Sequence, residues 1–201
     1  MLASISPVGE AARGQRWPVT VSAYLVASAI GGALLGAVAG TLGWGLFALL
    51  GRPPVAVVVA VLAALAALAV ALDRGLVRWH APAWQRQVDE TWLTSYRGWV
   101  YGAGFGFQLG AGVLTRIPTA AVYLVVVAAL ATGSVTAGAA IGVTFGTVRA
   151  VPILLAGRHR DPARLNAFHQ RMDAAAPTAD RVTSAVVALA AAALVTTAVA
   201  G

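Results

Sequence analysis

The chain has 201 residues, 59% hydrophobic and only 10% charged, with a mean hydropathy of +0.80. Water-soluble domains carry about 45–50% apolar and about 25% charged residues, and a soluble core at this length cannot hide so much apolar surface. Disorder is excluded by the same composition, which leaves an integral membrane protein. No cysteine is present, so disulfides, thiol redox chemistry and thiolate metal ligation by these residues are excluded. All fourteen basic residues are arginine and the net charge is +7. In a membrane protein such an excess reports cytoplasmic loops. No basic run exceeds Arg158-His159-Arg160, so no nucleic-acid partner is expected. The Arg-only, Ala- and Gly-rich usage reads as a GC-rich bacterial coding sequence, which places the expected home in the bacterial plasma (inner) membrane.

Residues 1–17 are polar enough to sit in water, with Glu10, Arg13 and Arg16. Residues 19–50 carry no charge. As a helix they extend roughly 48 Å, against a hydrocarbon core of about 30 Å. Gly31, Gly32, Gly36, Gly40, Gly43 and Gly45 point to a break or to close packing. Ala37-Val38-Ala39 resembles a signal-peptidase site. Cleavage there leaves an end that is still fully apolar, so a retained span is expected.

Gly51-Arg52-Pro53-Pro54 is a turn. Residues 55–72 form a short second span, closed by Asp73-Arg74-Gly75. Residues 73–97 are polar. Within them Trp84, Val88, Trp92 and Tyr96 recur every four residues, so 82–97 is expected to be an amphipathic helix in the membrane interface. Trp84, Trp92 and Tyr96 are its anchors.

Residues 98–132 are long, apolar and interrupted by Arg116 and Pro118. Gly133-Ser134 is a break, and 135–156 is a further span containing Pro152. Residues 157–180 are polar. Asp161 and Pro162 can start a helix over 161–173. Leu165, Phe168, His169 and Met172 fall on one face of it, facing either the interface or the rest of the protein. Residues 181–200 form the last span.

The expected architecture is thus all-α, one integral membrane domain over 1–201. It is a polytopic transmembrane bundle with two long interrupted helices and two interfacial amphipathic helices. Five spans place residues 1–17, 73–97 and 157–180, which hold most of the arginines, on the cytoplasmic side with the N-terminus, in keeping with the positive-inside rule. If 98–132 turns at Arg116-Ile117-Pro118 there are six spans, and 157–180 lies outside. The halves of 98–132 would then have only about 15–18 residues each, short for a span.

The two long segments echo one another. Gly32-x-x-Leu35-Gly36-Ala37-x-x-x-Thr41 matches Gly106-x-x-Leu109-Gly110-Ala111-x-x-x-Thr115 at an offset of 74. Interrupted segments at equivalent positions of two halves point to a transporter's site. The stripes at Gly32 and Gly36 and at Gly106 and Gly110 also serve close helix packing.

Over about 97–157 the chain resembles the DsbD/CcdA cytochrome c biogenesis membrane family. The residues that carry the resemblance are Gly102-x-Gly104-Phe105-Gly106-x-x-Leu109-Gly110, then Thr115-Arg116-Ile117-Pro118. They continue in Gly142-x-x-Phe145-Gly146-x-x-Arg149-Ala150-Val151-Pro152-Ile153-Leu154-Leu155. The resemblance implies a helix broken near a proline, here Pro118, and a later span with a Gly-Arg-x-x-Pro run ending at Pro152. It also implies thiol electron transfer, which this chain departs from: the family's cysteines are absent, and Arg116 stands near the expected position of one. A relative keeping the scaffold for another task is what remains.

Arg149 is the side chain most in need of explanation. It lies roughly 12 Å inside its span, where an arginine costs about 2.5–3.5 kcal/mol and faces a cavity or partner. It either binds an anionic ligand or lipid headgroup or snorkels to the interface. Arg116 has the same two readings. Gln108, Tyr101 and Thr115 either line a polar pathway or bond between helices. The histidines lack ligand spacing, so no metal is expected. No nucleotide loop, nucleophile elbow or paired intramembrane carboxylates occur, so neither catalysis nor a cofactor is expected. Two functions fit: a small carrier-like protein with a site at the interrupted helices, or a non-catalytic subunit or assembly factor of a larger membrane complex. The expected partners are the bilayer and another membrane protein or a second copy.

Overall fold

The structure, a computed structural model, describes residues 5–77, 91–112, 119–158 and 161–200. All regular elements among them are helices.

The first, α1 (Pro7–Ala12), starts where Ser6 adopts an extended backbone and its Oγ accepts from the Gly9 amide at 3.1 Å. This satisfies one of the free amides at a helix start, and Pro7 occupies a position where its missing N–H costs nothing. Next comes α2 (Trp17–Leu50), 34 residues without interruption. It ends at Gly51, whose φ of +83° only glycine adopts freely, followed by Pro53 and Pro54. Then come α3 (Val55–Asp73), α4 (Trp92–Ser95), α5 (Gly98–Gly110) and α6 (Ala121–Thr132). The last three are α7 (Val135–Ala150), α8 (Pro152–Ala156) and α9 (Pro162–Ala200). Three stretches are long and apolar enough to cross a membrane: Trp17–Leu50, Val55–Asp73 and Val135–Ala156. Val122–Thr132 is apolar but shorter.

Two expectations are corrected. The first long segment is not interrupted, although six glycines cost a helix up to about 1 kcal/mol each. The cost is offset because most of them are points of backbone contact with other helices. The second correction concerns 161–173 and 181–200, which are one helix, α9, with Pro177 inside it. Ala174-Ala175-Ala176 carries the helix up to that proline, which removes a single backbone donor. The second long segment, by contrast, is divided into α5 and α6.

Neighbouring residues fix the helix directions. Along α5, Gly102, Gly106 and Gly110 abut Thr20, Tyr24 and Ser28 of α2, so α5 runs parallel to α2. The end of α6 continues in the same sense, with Leu130 against Gly43 and Gly133 against Phe47. On α7 the order reverses: Ser134, Gly138, Gly142 and Gly146 meet Gly40, Gly36, Gly32 and Ser28. Asp73, at the end of α3, bonds to the start of α6, so α3 descends where α6 ascends. In α9, Ala191 packs with Ala63 and Ala66, whereas Thr183 and Ser184 lie beside Asp73. That arrangement makes α9 antiparallel to α3. The described residues therefore traverse the bundle axis five times, with α5 and α6 laid end to end in the third traverse.

The traverses are zipped by backbone. A Cβ on Gly32 would lie 2.1 Å from the Gly142 carbonyl oxygen, and one on Gly36 2.0 Å from that of Gly138. On the other flank of α2, a Cβ on Gly106 would lie 2.1 Å from the Tyr24 oxygen and one on Gly110 1.9 Å from that of Ser28. Ser28, fully buried between α5 and α7, donates to the Gly146 carbonyl at 2.8 Å. Without a hydrophobic force between helices in lipid, such close approach and hydrogen bonding supply the association. Buried apolar side chains gather in two clusters. Ile5, Val21, Tyr24, Tyr101, Phe105, Ala150 and Ile153 form one cluster. Ala63, Ala66 and Ala191, with Leu124 and Val187, form the other.

Candidate functional site

The third traverse stops at Gly110 and resumes at Ala121, leaving two helix ends inside the bundle. A helix end exposes free carbonyls or free amides, which are costly away from water. Each end here is met by a charge from another helix. At the end of α5, Arg149 of α7 donates from Nη1 to the Leu109 carbonyl at 3.2 Å. Its guanidinium also lies 5.6 Å from the centre of the Phe145 ring. At the start of α6, Asp73 of α3 accepts from the Ala120 amide at 2.8 Å and from the Thr119 hydroxyl at 2.6 Å. A cation at a carbonyl end and an anion at an amide end both oppose the helix dipole favourably. The signs are those that two half-helices demand.

Two cavities adjoin this break. The larger, about 840 Å³, is bounded by Thr119, Val122 and Val125 of the α6 strip, by Ala140, Ile141, Thr144, Phe145, Val148 and Arg149 of α7, and by Thr183 of α9. The smaller, about 160 Å³, is polar and is bounded by Asp73, Thr119, Asp180, Thr183 and Ser184. They share Thr119 and Thr183.

A second polar cluster closes the end of the bundle where the chain begins. Glu10 is fully buried. Its Oε1 accepts from Arg13 Nη2 at 2.7 Å and from the Tyr101 hydroxyl at 2.5 Å, and its Oε2 from the Thr20 hydroxyl at 2.6 Å. The Arg13 guanidinium lies 5.7 Å from the centre of the Tyr101 ring. Burial pulls the Arg13 pKa down, but the bonds to Glu10 and Tyr101 more than reverse this, so the guanidinium is held above its ordinary value. Gln15 accepts from the Gly98 amide at 3.0 Å. The expectation that 1–17 sits in water is thus corrected at Ile5, Ser6 and Glu10, which are buried: α1 folds onto α2 and α5, and its carboxylate ties them.

Of the residues singled out from sequence, Arg149 lies at the break and Pro152 divides α7 from α8. Tyr101 belongs to the Glu10 cluster, away from the break. Gln108 is half-buried on α5, and Gly32, Gly36, Gly106 and Gly110 form the seams already described. Arg116, Thr115, Pro118 and Trp84, with most of the expected helix 82–97, lie outside the described residues. Trp92 stacks on Phe105 with ring centres 6.1 Å apart and meets Tyr96 edge-on; its ring is packed against α5. Tyr96 itself is exposed. Phe168 lies half-buried beside His169 on α9. Sequence reading missed Asp73, Glu10 and Ser28. Only Glu10 carried a signal, in the helix-start pair Ser6-Pro7 just before it.

The comparisons extend the resemblance well beyond 97–157. The family model for the cytochrome c biogenesis protein transmembrane region matches residues 3–196. The methylamine utilization protein MauF of Methylophilus methylotrophus is 32% identical over 154 residues, 76% of this chain and 53% of that protein. MauF of Methylobacillus flagellatus is 32% identical over 138 residues, 69% of this chain and 48% of that protein. The chain spans about half the length of these curated relatives. No solved structure matches. A helical membrane bundle whose match runs over almost its whole length belongs to the cytochrome c biogenesis protein transmembrane region family.

Proposed function

We propose that this chain is a non-catalytic membrane accessory protein that assists the assembly or maturation of another protein, in a methylamine-utilisation or c-type cytochrome setting. The observation that carries the reading is a family membership without the family's thiols. The bundle is kept, and none of its 201 residues is a cysteine. A bundle that cannot relay electrons through its own sulfur still holds a fixed shape. The backbone seams along α2 supply that rigidity, and the relatives named for methylamine utilization supply the setting. The positive-inside rule applied to the arginine-rich segments supports a reading in which the N-terminus and the start of α9 face the cytoplasm at a bacterial inner membrane.

The test is purification of the tagged full chain from its native membrane in several mild detergents. A partner at constant stoichiometry is expected, together with failure of that partner to mature in a deletion strain. The protein isolated alone, with the partner maturing normally in its absence, overturns the reading. A carrier-like function is the second reading, favoured by the polar cavity of Asp73, Thr119, Asp180, Thr183 and Ser184 beside a broken helix. It requires Arg149→Ala to abolish solute uptake in reconstituted vesicles while leaving the protein inserted.

A further inference from the structure

The larger cavity at the break is open and almost wholly apolar. Its volume, about 840 Å³, falls within the roughly 300–1,000 Å³ of small-molecule sites. Val122, Val125, Ile141, Phe145 and Val148 supply walls with nothing to offer a polar solute. Among the described residues its one formal charge is Arg149, which bonds to the end of α5 at the break. It shares Thr119 and Thr183 with the small cavity bounded by Asp73 and Asp180. An apolar slot that carries one guanidinium thus adjoins, at Thr119 and Thr183, a polar pocket that carries two carboxylates.

We propose that this groove seats one phospholipid with a phosphoethanolamine headgroup. The acyl chain lies along α6 and α7, the phosphate meets Arg149, and the primary ammonium faces Asp73 and Asp180. A guanidinium matches a phosphate through charge-assisted hydrogen bonds. A carboxylate pair selects an ammonium that can donate over a quaternary one that cannot. A purely anionic headgroup gains from Arg149 but is repelled by the two aspartates. The seat is independent of whether the chain docks a protein partner.

The experiment is native mass spectrometry of the purified full chain in detergent, supplied with an equimolar mixture of palmitoyl-oleoyl phosphatidylethanolamine, phosphatidylglycerol and phosphatidylcholine. One retained phosphatidylethanolamine is expected, favoured about tenfold over each of the others, equivalent to ~1.4 kcal/mol. Asp180→Asn, at an exposed position, is expected to erase the preference over phosphatidylglycerol while retention of some lipid continues. Arg149→Gln is expected to lower total retention about tenfold. Because Arg149 also caps α5, Thr144→Trp serves as the second variant: Thr144 is exposed and lines the groove, so an indole there fills the slot. It should displace the lipid while helicity and melting stay at the parental level. Equal retention of all three lipids, a preference for phosphatidylglycerol, or full retention in Thr144→Trp each overturns the proposal.

Discussion

Glu10→Ala tests whether the buried carboxylate holds α1 in place. The substitution removes the acceptor of two buried hydroxyls: Tyr101, wholly buried, and Thr20, nearly so. A stranded buried donor costs about 1–3 kcal/mol. Thr20 falls at the lower end, since the Arg16 carbonyl lies 3.5 Å from its hydroxyl. Arg13 is a quarter exposed and rehydrates, so its share is small. The sum is about 2–4 kcal/mol, overlapping the cost of removing one partner from a buried ion pair. If the loss falls on docking of α1, the undocked population rises by about 30- to 1,000-fold. The absence of cysteine makes a clean reporter possible. Ser6→Cys places one thiol at a buried position on the docked segment, and its maleimide labelling rate follows the undocked population when reclosing is fast. Glu10→Gln in the same background keeps an acceptor oxygen, and its labelling should rise only about tenfold. Labelling of Glu10→Ala within about threefold of the parent would refute the assignment, because the carboxylate would then contribute nothing to holding α1.

Other sites give equally direct outcomes. Gly142→Ala puts a methyl 1.9 Å from the Gly32 oxygen; overpacking of about 1–3 kcal/mol should lower the melting temperature in detergent by roughly 4–10 °C. Gly45→Ala, with no atom within 4 Å, should leave melting unchanged or raised. Asp73→Ala removes the cap of α6 at a cost of about 1–2 kcal/mol, read as faster hydrogen exchange at 120–123, whereas Asp73→Asn should retain most of the protection. Gly133→Ala forces a methyl into the left-handed region at φ +57° and against Phe47. Circular-dichroism melting should detect about 1–2 kcal/mol of destabilisation.

Much of this bundle was legible because its periodic and punctuating residues act locally. Gly51-Arg52-Pro53-Pro54 ends one helix and spaces the next, and Gly133-Ser134 turns α6 into α7. The glycine stripe of α2 announced close approach, though not whether the helix would break, because backbone packing on α5 and α7 decides that. Arg149 stood out as a charge in an apolar run. Its contact, the Leu109 carbonyl 40 residues away, could not be read from its neighbours. Asp73 looked like the punctuation after a span and proved to cap a helix start 47 residues later. Glu10 reads as solvated because nothing in a short polar segment reveals that its carboxylate accepts from Tyr101, 91 residues on.

The same long-range contacts explain how a cysteine-free member retains a broken helix. The break between α5 and α6 would be costly if its ends were held only by what fills the gap. Here one end is satisfied by a guanidinium from α7 and the other by a carboxylate from α3. α7 is itself locked to α2 by backbone contacts at Gly32 and Gly36, so Arg149 is held where the α5 carbonyl needs it. The energetic support of the break therefore lies outside the broken segment. Thiols at the break would add chemistry without being needed to hold it open, so their absence leaves the architecture intact.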